Sequence, residues 1–454
     1  MKKIYLLFTL LAISALQLLH GQTTISIFDN VLFYDGYATT IDTPPPPPGI
    51  IRHRNDLYAV KLSDQQLSQI GSSLTMKVTI KASCDNYDRI GNVNLALVPK
   101  GDTTYKPDSV SRIEIARYIT PFMNKNMMPN TVPYTYNIAN VAHLLKETSI
   151  TSVYDIWLEL QVFGVPYAAN TQVAGCAGRN DVFYGSVDFI TSGTLATENN
   201  NVLTPLNFQK NLNNYGASDS IGLTRRTITF NVDQALTDAI FVLITSNHGA
   251  NNNGEEYNRR QHYVYFDGNE VFTYIPGRTS CEPFRVYNTQ ANGIYGPSPM
   301  SDAEWQSFSN WCPGDVIDTR IIPLGPLTVG SHTFVLNVPD ARFVGQQGDF
   351  PVSLYLHGKT SGTLPVAVRP TLDETSGLSV YPNPSSSQLT VKAEGISDPQ
   401  AMMSIKNILG QTVWSSQVSQ PEQVINVSHL PAGVYTLLYE STKGSKHKKV
   451  IITR

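Results

Sequence analysis

The chain has 454 residues, with 33 Lys and Arg against 36 Asp and Glu, so its summed field is weak and offers no steering toward nucleic acid or another polyanion. That length exceeds what one hydrophobic core accommodates, and two or three domains are expected. Hydrophobic residues at 41%, aromatics at 10%, and 31 Gly, 28 Pro and 23 Tyr favour packed sheets joined by many turns over long helices.

The N-terminus opens Met1-Lys2-Lys3 and continues as an apolar run from Ile4 to Leu16. A basic start followed by an apolar stretch too short to span a bilayer reads as a signal peptide over residues 1–21, cut near Gly21 and Gln22. No other stretch is long and apolar enough for a membrane helix, so the mature protein is expected to lack a transmembrane segment. Its four cysteines then meet an oxidising compartment in which disulfides persist.

From residue 22 to 193 the apolar residues alternate, as in Leu74–Ile80, Ile113–Tyr118 and Val153–Leu160, each bounded by polar turns; this period reads as a β-sandwich. The run Pro44 to Pro48 donates no ladder hydrogen bonds and is placed as a stiff surface excursion. Leu144 to Glu147 reads as a short helical turn. A polar stretch, Thr197–Val202, separates this block from a second set of strands over 194–361, including Arg226–Phe230, Ala239–Ile244 and His332–Asn337. A polar linker over 362–376 leads to a small β module over 377–454.

That module contains Leu378-Ser-Val-Tyr-Pro-Asn-Pro384, Ile405-Lys-Asn-Ile-Leu-Gly-Gln-Thr-Val413, Leu430-Pro-Ala-Gly-Val-Tyr-Thr436 and a final Lys448-Lys-Val-Ile-Ile-Thr-Arg454, with Gly410 and Gly433 at turns. These segments resemble the C-terminal sorting domain of the bacterial type IX secretion system. The resemblance implies export across the outer membrane by that machinery, as a secreted or cell-surface protein. An ordinary carbohydrate-binding sandwich is the alternative.

Three segments carry chemistry. Cys84-Asp-Asn-Tyr-Asp-Arg89 packs two carboxylates, an aromatic ring and a guanidinium into a turn that leads into a strand. A carboxylate held beside an arginine suits a base that activates water, while a surface ion pair is the plainer reading. Glu159 alternates with apolar residues in Ile156–Gln161, which also fits the solvent face of a half-buried strand. The third segment, Thr245 to His262, is rich in Gly and Asn and contains Glu256, Tyr257, His248 and His262. Its two histidines lack an Asp or Cys at a metal-ligand spacing, so no metal site is expected.

In order and type, the turn at 84–89 and the segment Arg117-Tyr-Ile-Thr-Pro-Phe122 resemble the peptide-N-glycosidase F family, which carries Cys-Asp-Glu-Trp-Asp-Arg and then Arg-Phe-Ile-Thr-Pro-Tyr. The resemblance implies an all-β protein of two adjacent eight-stranded antiparallel jelly-roll sandwiches, followed by the small sorting sandwich. It implies an amidase cleaving the bond between asparagine and the core sugar of an N-linked glycoprotein or glycopeptide, without metal or organic cofactor. It places Asp88 as the primary catalytic carboxylate, with Glu256 and Glu159 as the further acids. Arg89, Tyr87, Tyr257, Gln161, His248, His262 and Trp311 become substrate-binding positions. Cys281 and Cys312 match a bonded pair of the family, leaving Cys84 and Cys176 to pair with each other. Tyr87, Tyr257 and Gln161 stand where the family has tryptophans, and Phe308 where it has an arginine; Gly254 and Asn258 replace a disulfide. A segment over 165–178 has no counterpart. Other classes are a catalytically silent glycan-binding or adhesion protein using the same cleft, and a copper-dependent monooxygenase, for which no His and Met ligand set is evident.

Overall fold

The computed structural model describes residues 22–212, 223–249, 255–290, 301, 309–343, 348–361, 378–393, 401–407, 411–418, 420, 422–441 and 444–453. The expected signal peptide over 1–21, the expected linker over 362–376, Gly254, Phe308 and Gly410 lie outside them.

The first sandwich is built from β1 (Thr23–Tyr34), β2 (Ile50–Arg54), β3 (Leu57–Lys61), β4 (Ser73–Ala82), β5 (Ile90–Pro99), β6 (Ser111–Ile119), β7 (Thr131–Asn137), β8 (Tyr154–Val162) and β9 (Asp181–Ser192). One sheet has the order β1-β9-β4-β7 and the other β6-β5-β8-β3-β2, all antiparallel. In β4 every second residue is buried, from Leu74 through Met76, Val78 and Ile80 to Ala82, as a two-residue side-chain period requires of a sheet with one face in the core.

The second sandwich uses β10 (Asn201–Asn211), β11 (Arg225–Val232), β12 (Leu236–Thr245), β13 (His262–Phe266), β14 (Asn269–Tyr274), β16 (Arg320–Leu327), β17 (Gly330–Asn337) and β18 (Pro351–Thr360), in sheets β10-β18-β12-β16 and β11-β17-β13-β14. The short β15 (Val316–Ile317) leaves it to pair with β6, Val316 opposite Tyr118 and Ile317 opposite Arg117. Among the described residues the first sandwich therefore has nine strands of its own and borrows a tenth, against the eight expected. The tail folds separately into sheets of three and four strands around its own core, and Gly433 opens a strand there rather than lying in a hairpin turn.

The outer face of the larger sheet determines where the site forms. Asn92 and Asn94 in β5 and Asp155, Glu159 and Gln161 in β8 alternate with core residues, as a solvent-facing set would, and a register shift in β6 brings Glu114 opposite Asn94 and Arg117 opposite Asn92. Yet Asn92, Asn94, Glu114, Arg117, Asp155 and Glu159 are buried. A buried polar face must be covered by something that satisfies it, and part of the cover is the second sandwich. Arg117 donates two hydrogen bonds to Glu114, both at 2.7 Å, and two across the junction, to Ser246 Oγ at 2.8 Å and the Pro351 carbonyl at 2.9 Å. The Ser353 hydroxyl donates back to Glu114. An apolar cluster of Ile119, Phe122, Ile244, Trp311 and Ile317 completes the seam.

Candidate active site

Both expected disulfides are present, Cys84–Cys176 and Cys281–Cys312. The first ties the turn between β4 and β5 to the segment joining β8 and β9. In that turn the acids divide their work. The buried Asp85 accepts hydrogen bonds from Arg89 Nε at 2.7 Å and from the backbone N–H groups of Val165 at 2.6 Å and Tyr87 at 2.9 Å. The arginine thus pairs with Asp85 rather than holding Asp88, as the sequence alone allowed. Thr120 clamps the turn from β6, donating its N–H to the Arg89 carbonyl at 2.8 Å and its hydroxyl to the Tyr87 carbonyl at 3.1 Å, and accepting the Arg89 N–H at 2.7 Å. Arg89 lies over the Tyr87 ring at 5.2 Å, and that ring meets Phe122 edge-on.

Asp88 is left with its own backbone N–H. Burial pushes its carboxyl well above the usual range, the charge of Glu256 pushes it further, and Arg89 pulls it partly back. That coupling crosses the junction, because Asp88 belongs to the first sandwich and Glu256 to the second. Glu256 is 9% exposed on a single turn of 3-10 helix, Glu255–Tyr257, and accepts the Gly249 N–H at 2.8 Å. Burial raises its carboxyl to about 6, opposed by the Gly249 and Tyr257 hydrogen bonds and assisted by the charge of Asp349. Its carbonyl accepts from Ser309 Oγ at 2.8 Å and from Asn310 Nδ2 at 2.5 Å, so the strip leading into Trp311-Cys312 holds it in place. The adjacent Glu255 has a different fate, bonded twice to Arg260 at 3.0 Å and to the Arg342 N–H at 2.9 Å.

His248 stands half-buried at the junction, its ring stacked on Trp311 and its Nε2 at 2.7 Å from Ser246 Oγ. Ser246 Oγ also accepts from Arg117, so one hydroxyl links the imidazole to the clamp between the domains. Burial first, and then Arg117, lowers this imidazole to about 3. Trp311 and His262 are packed into the interior. Trp311 is 4% exposed, with its indole N–H on the Asn247 carbonyl at 3.1 Å. His262 is 0% exposed, with its ring between Tyr274 and Phe350. A six-residue spacing from Glu256 resembled a site position, but β13 turns that side chain into the second core.

Glu159 lies further along the sheet. The register sets Gln161 opposite Asn92 and Glu159 opposite Asn94, two residues farther from the turn. Fully buried, Glu159 accepts from Tyr105 Oη at 2.8 Å, Asn94 Nδ2 at 3.1 Å and Arg112 Nη1 at 3.3 Å. The charges acting on Asp88 are instead those of Glu256, Arg89 and Asp85. Gln161 bridges Asp56 at 2.7 Å and Asn92 at 3.1 Å. Tyr257 is 39% exposed beside Glu256. Sequence reasoning missed Asp349, whose backbone pairs with His248 in both directions, and the Glu114–Arg117 clamp, although Arg117 heads the motif that was singled out.

The arrangement brings two high-titrating carboxylates with few hydrogen-bond donors to one seam, with a neutral histidine and two tyrosines on the same turns. Such a set can remove a proton from water at near-neutral pH and bind hydroxyl groups. Among the described residues no group of three or more His, Cys, Asp or Glu is placed to hold a metal ion.

Comparison with known proteins agrees with this organisation. Residues 24–177 match the family model for peptide-N-glycosidase F, N terminal, and residues 215–357 that for peptide-N-glycosidase F, C terminal. Residues 379–453 match a secretion system C-terminal sorting domain. No curated protein matches the chain. Among solved structures, PNGF-II is 20% identical with a TM-score of 0.53, over 75% of this chain and 66% of that one. This chain therefore spans just under two thirds of the length of PNGF-II, and the likeness shows a shared fold. A peptide-N(4)-(N-acetyl-beta-D-glucosaminyl) asparagine amidase is 16% identical over 76% of this chain and 98% of its own, with a TM-score of 0.48. PNGase F from Flavobacterium meningosepticum is 17% identical over 76% and 97%, with a TM-score of 0.45.

Proposed function

Because this chain belongs to the peptide-N-glycosidase F family, we propose that it is an exported amidase that hydrolyses the bond between asparagine and the first N-acetylglucosamine of N-linked glycoproteins. Ionised Asp88 takes a proton from water, and the water oxygen attacks the side-chain carbonyl carbon. The C–N bond then breaks, the nitrogen leaves with the sugar as a glycosylamine carrying the proton that Asp88 returns, and aspartate remains. Glu256 binds the core sugar and orders the attacking water. Tyr87, Arg89, Tyr257, Gln161 and His248 line the substrate path. Glu159, bound by Tyr105, Asn94 and Arg112, acts as a positioning residue that keeps the β5–β8 face in register. Export proceeds through the signal peptide at 1–21 and then the type IX route, which makes the enzyme secreted or cell-surface.

What supports this reading is that the turns of Asp88 and Glu256, from different domains, meet one seam: Tyr87 packs against the apolar cluster that contains Trp311, and Ser309 and Asn310 beside Trp311 bond the Glu256 carbonyl, in keeping with the rise that the Glu256 charge causes at Asp88. A base must hold a raised pKa to deprotonate water usefully near neutrality, and two carboxylates sharing a desolvated site supply that. The test is incubation of the purified protein with a denatured N-glycoprotein, followed by mass spectrometry. Loss of the glycan with conversion of Asn to Asp, abolished in Asp88→Asn, is the expected result. Glycan binding without release by the wild type would replace the amidase with a glycan-binding protein.

A further inference from the structure

The segment joining β8 to β9 folds over the acid turn and is fastened to it at three points: the Cys84–Cys176 disulfide, the Val165 N–H on Asp85 at 2.6 Å, and Asn86 Nδ2 on Gln172 Oε1 at 2.7 Å. Its short helix, Tyr167–Gln172, buries Ala169 and, with Val173 and Cys176, packs against Cys84. On the opposite side of that helix Tyr167 is 67% exposed, within electrostatic reach of the Arg89 guanidinium. A large aromatic ring is therefore held in solvent on a mount fastened to the turn that carries Asp88, two residues from the Val165 N–H that shares Asp85 with Arg89.

The two exposed tyrosines belong to different domains. Tyr257 accompanies Glu256 in the second domain, and Tyr167 accompanies Arg89 in the first. A glycosyl-asparagine also has two sides, the sugar and the polypeptide. With the sugar on Glu256 and Tyr257, as in the proposed function on which this inference rests, the polypeptide falls on the Arg89 side. We infer that Tyr167 is a specificity-determining residue that packs against the polypeptide flanking the glycosylated asparagine. The segment cannot recognise that polypeptide by adding a strand, because its backbone is engaged internally: Asn170 N–H on Pro166, Val173 on Ala169, Cys176 on Val173 and Arg179 on Cys176. Recognition by one flat ring tolerates many flanking sequences, since any aliphatic or aromatic side chain can cover it.

The test compares wild type, Tyr167→Ala and Tyr167→Phe on two substrates with the same glycan, an extended glycopeptide and a glycosyl-asparagine blocked at both ends. Affinities for both, and for the free glycan, are measured by calorimetry in the Asp88→Asn background, so the reading does not depend on turnover. Tyr167→Ala is expected to weaken glycopeptide binding and raise KM about tenfold, to leave the blocked substrate and free glycan within about twofold, and Tyr167→Phe to restore the peptide. Equal losses on both substrates, a loss on the free glycan, or no loss on the peptide would each overturn the assignment. A wild type that binds and cleaves neither substrate would overturn the proposed function and this inference together; one that cleaves both with no effect of Tyr167→Ala would overturn this inference alone.

Discussion

Asp85, Glu114 and Glu159 have arginine partners, whereas Asp88 and Glu256 have backbone N–H groups, a tyrosine and the charge of another acid. All five are largely withdrawn from water, and the chain answers that cost in opposite ways. A guanidinium and two or three donors fix a buried carboxylate in place, so Asp85 and Glu114 hold backbone and domains together, and at Asp85 they offset part of the rise that burial causes. Without such partners, burial and like charge raise the acids' pKa values, which is unfavourable for stability and useful for proton transfer. The difference teaches which carboxylates to expect in chemistry: those the fold leaves incompletely bonded.

The contrast breaks most visibly at Asp88. Asp88→Asn should lower kcat/KM on a glycopeptide by about 1,000-fold, as loss of a general base does. It should also raise Tm at alkaline pH, because ionising Asp88 in the folded chain has a cost that asparagine does not share. Arg117→Ala should do the reverse of that stability change: stranding Glu114 between the domains costs about 3–5 kcal/mol, read as a lower urea midpoint. Glu159→Gln sits between them, with about 1–3 kcal/mol lost in stability and a smaller fall in kcat/KM than Asp88→Asn.

A further expectation concerns acid. Burial lowers His248 and His262 to about 3 and His357 to about 4, below the ordinary value near 6.5. Between those values the unfolded chain binds protons that the folded one refuses, so these groups make stability fall as pH drops from about 6.5 toward 4. The raised Asp88 and Glu256 act with the opposite sign, favouring the fold at low pH and losing that contribution as pH rises through their folded pKa values. Melting curves across this range should show net loss on acidification, and His357→Asn should flatten part of it.

Much of the fold was legible. Alternation in Leu74–Ile80 and Ile113–Tyr118 marked strands because one face of each meets a core, and the tail's motifs marked a separate module. The two disulfides followed from one resemblance and from the two cysteines left over. The site was only partly legible. Proximity of Asp88 and Glu256 depends on how two sandwiches dock, and that is decided by Arg117, Ser246, Pro351 and Ser353, which are ordinary polar residues in a linear reading. The burial of His262 was not legible because it depends on which way β13 faces, nor that of Trp311, whose indole N–H bonds the Asn247 carbonyl. That Arg89 would choose Asp85 over Asp88 is a matter of turn geometry three residues long, below what composition or spacing can specify.

The most direct measurement is the titration of the Asp88 carboxyl by carbon-detected NMR, in the wild type and in Glu256→Gln. This account predicts a pKa well above the ordinary aspartate range in the wild type, dropping when the Glu256 charge is removed, with the acid limb of kcat/KM moving to lower pH in step. An Asp88 that titrates in the ordinary range and ignores Glu256→Gln would contradict it.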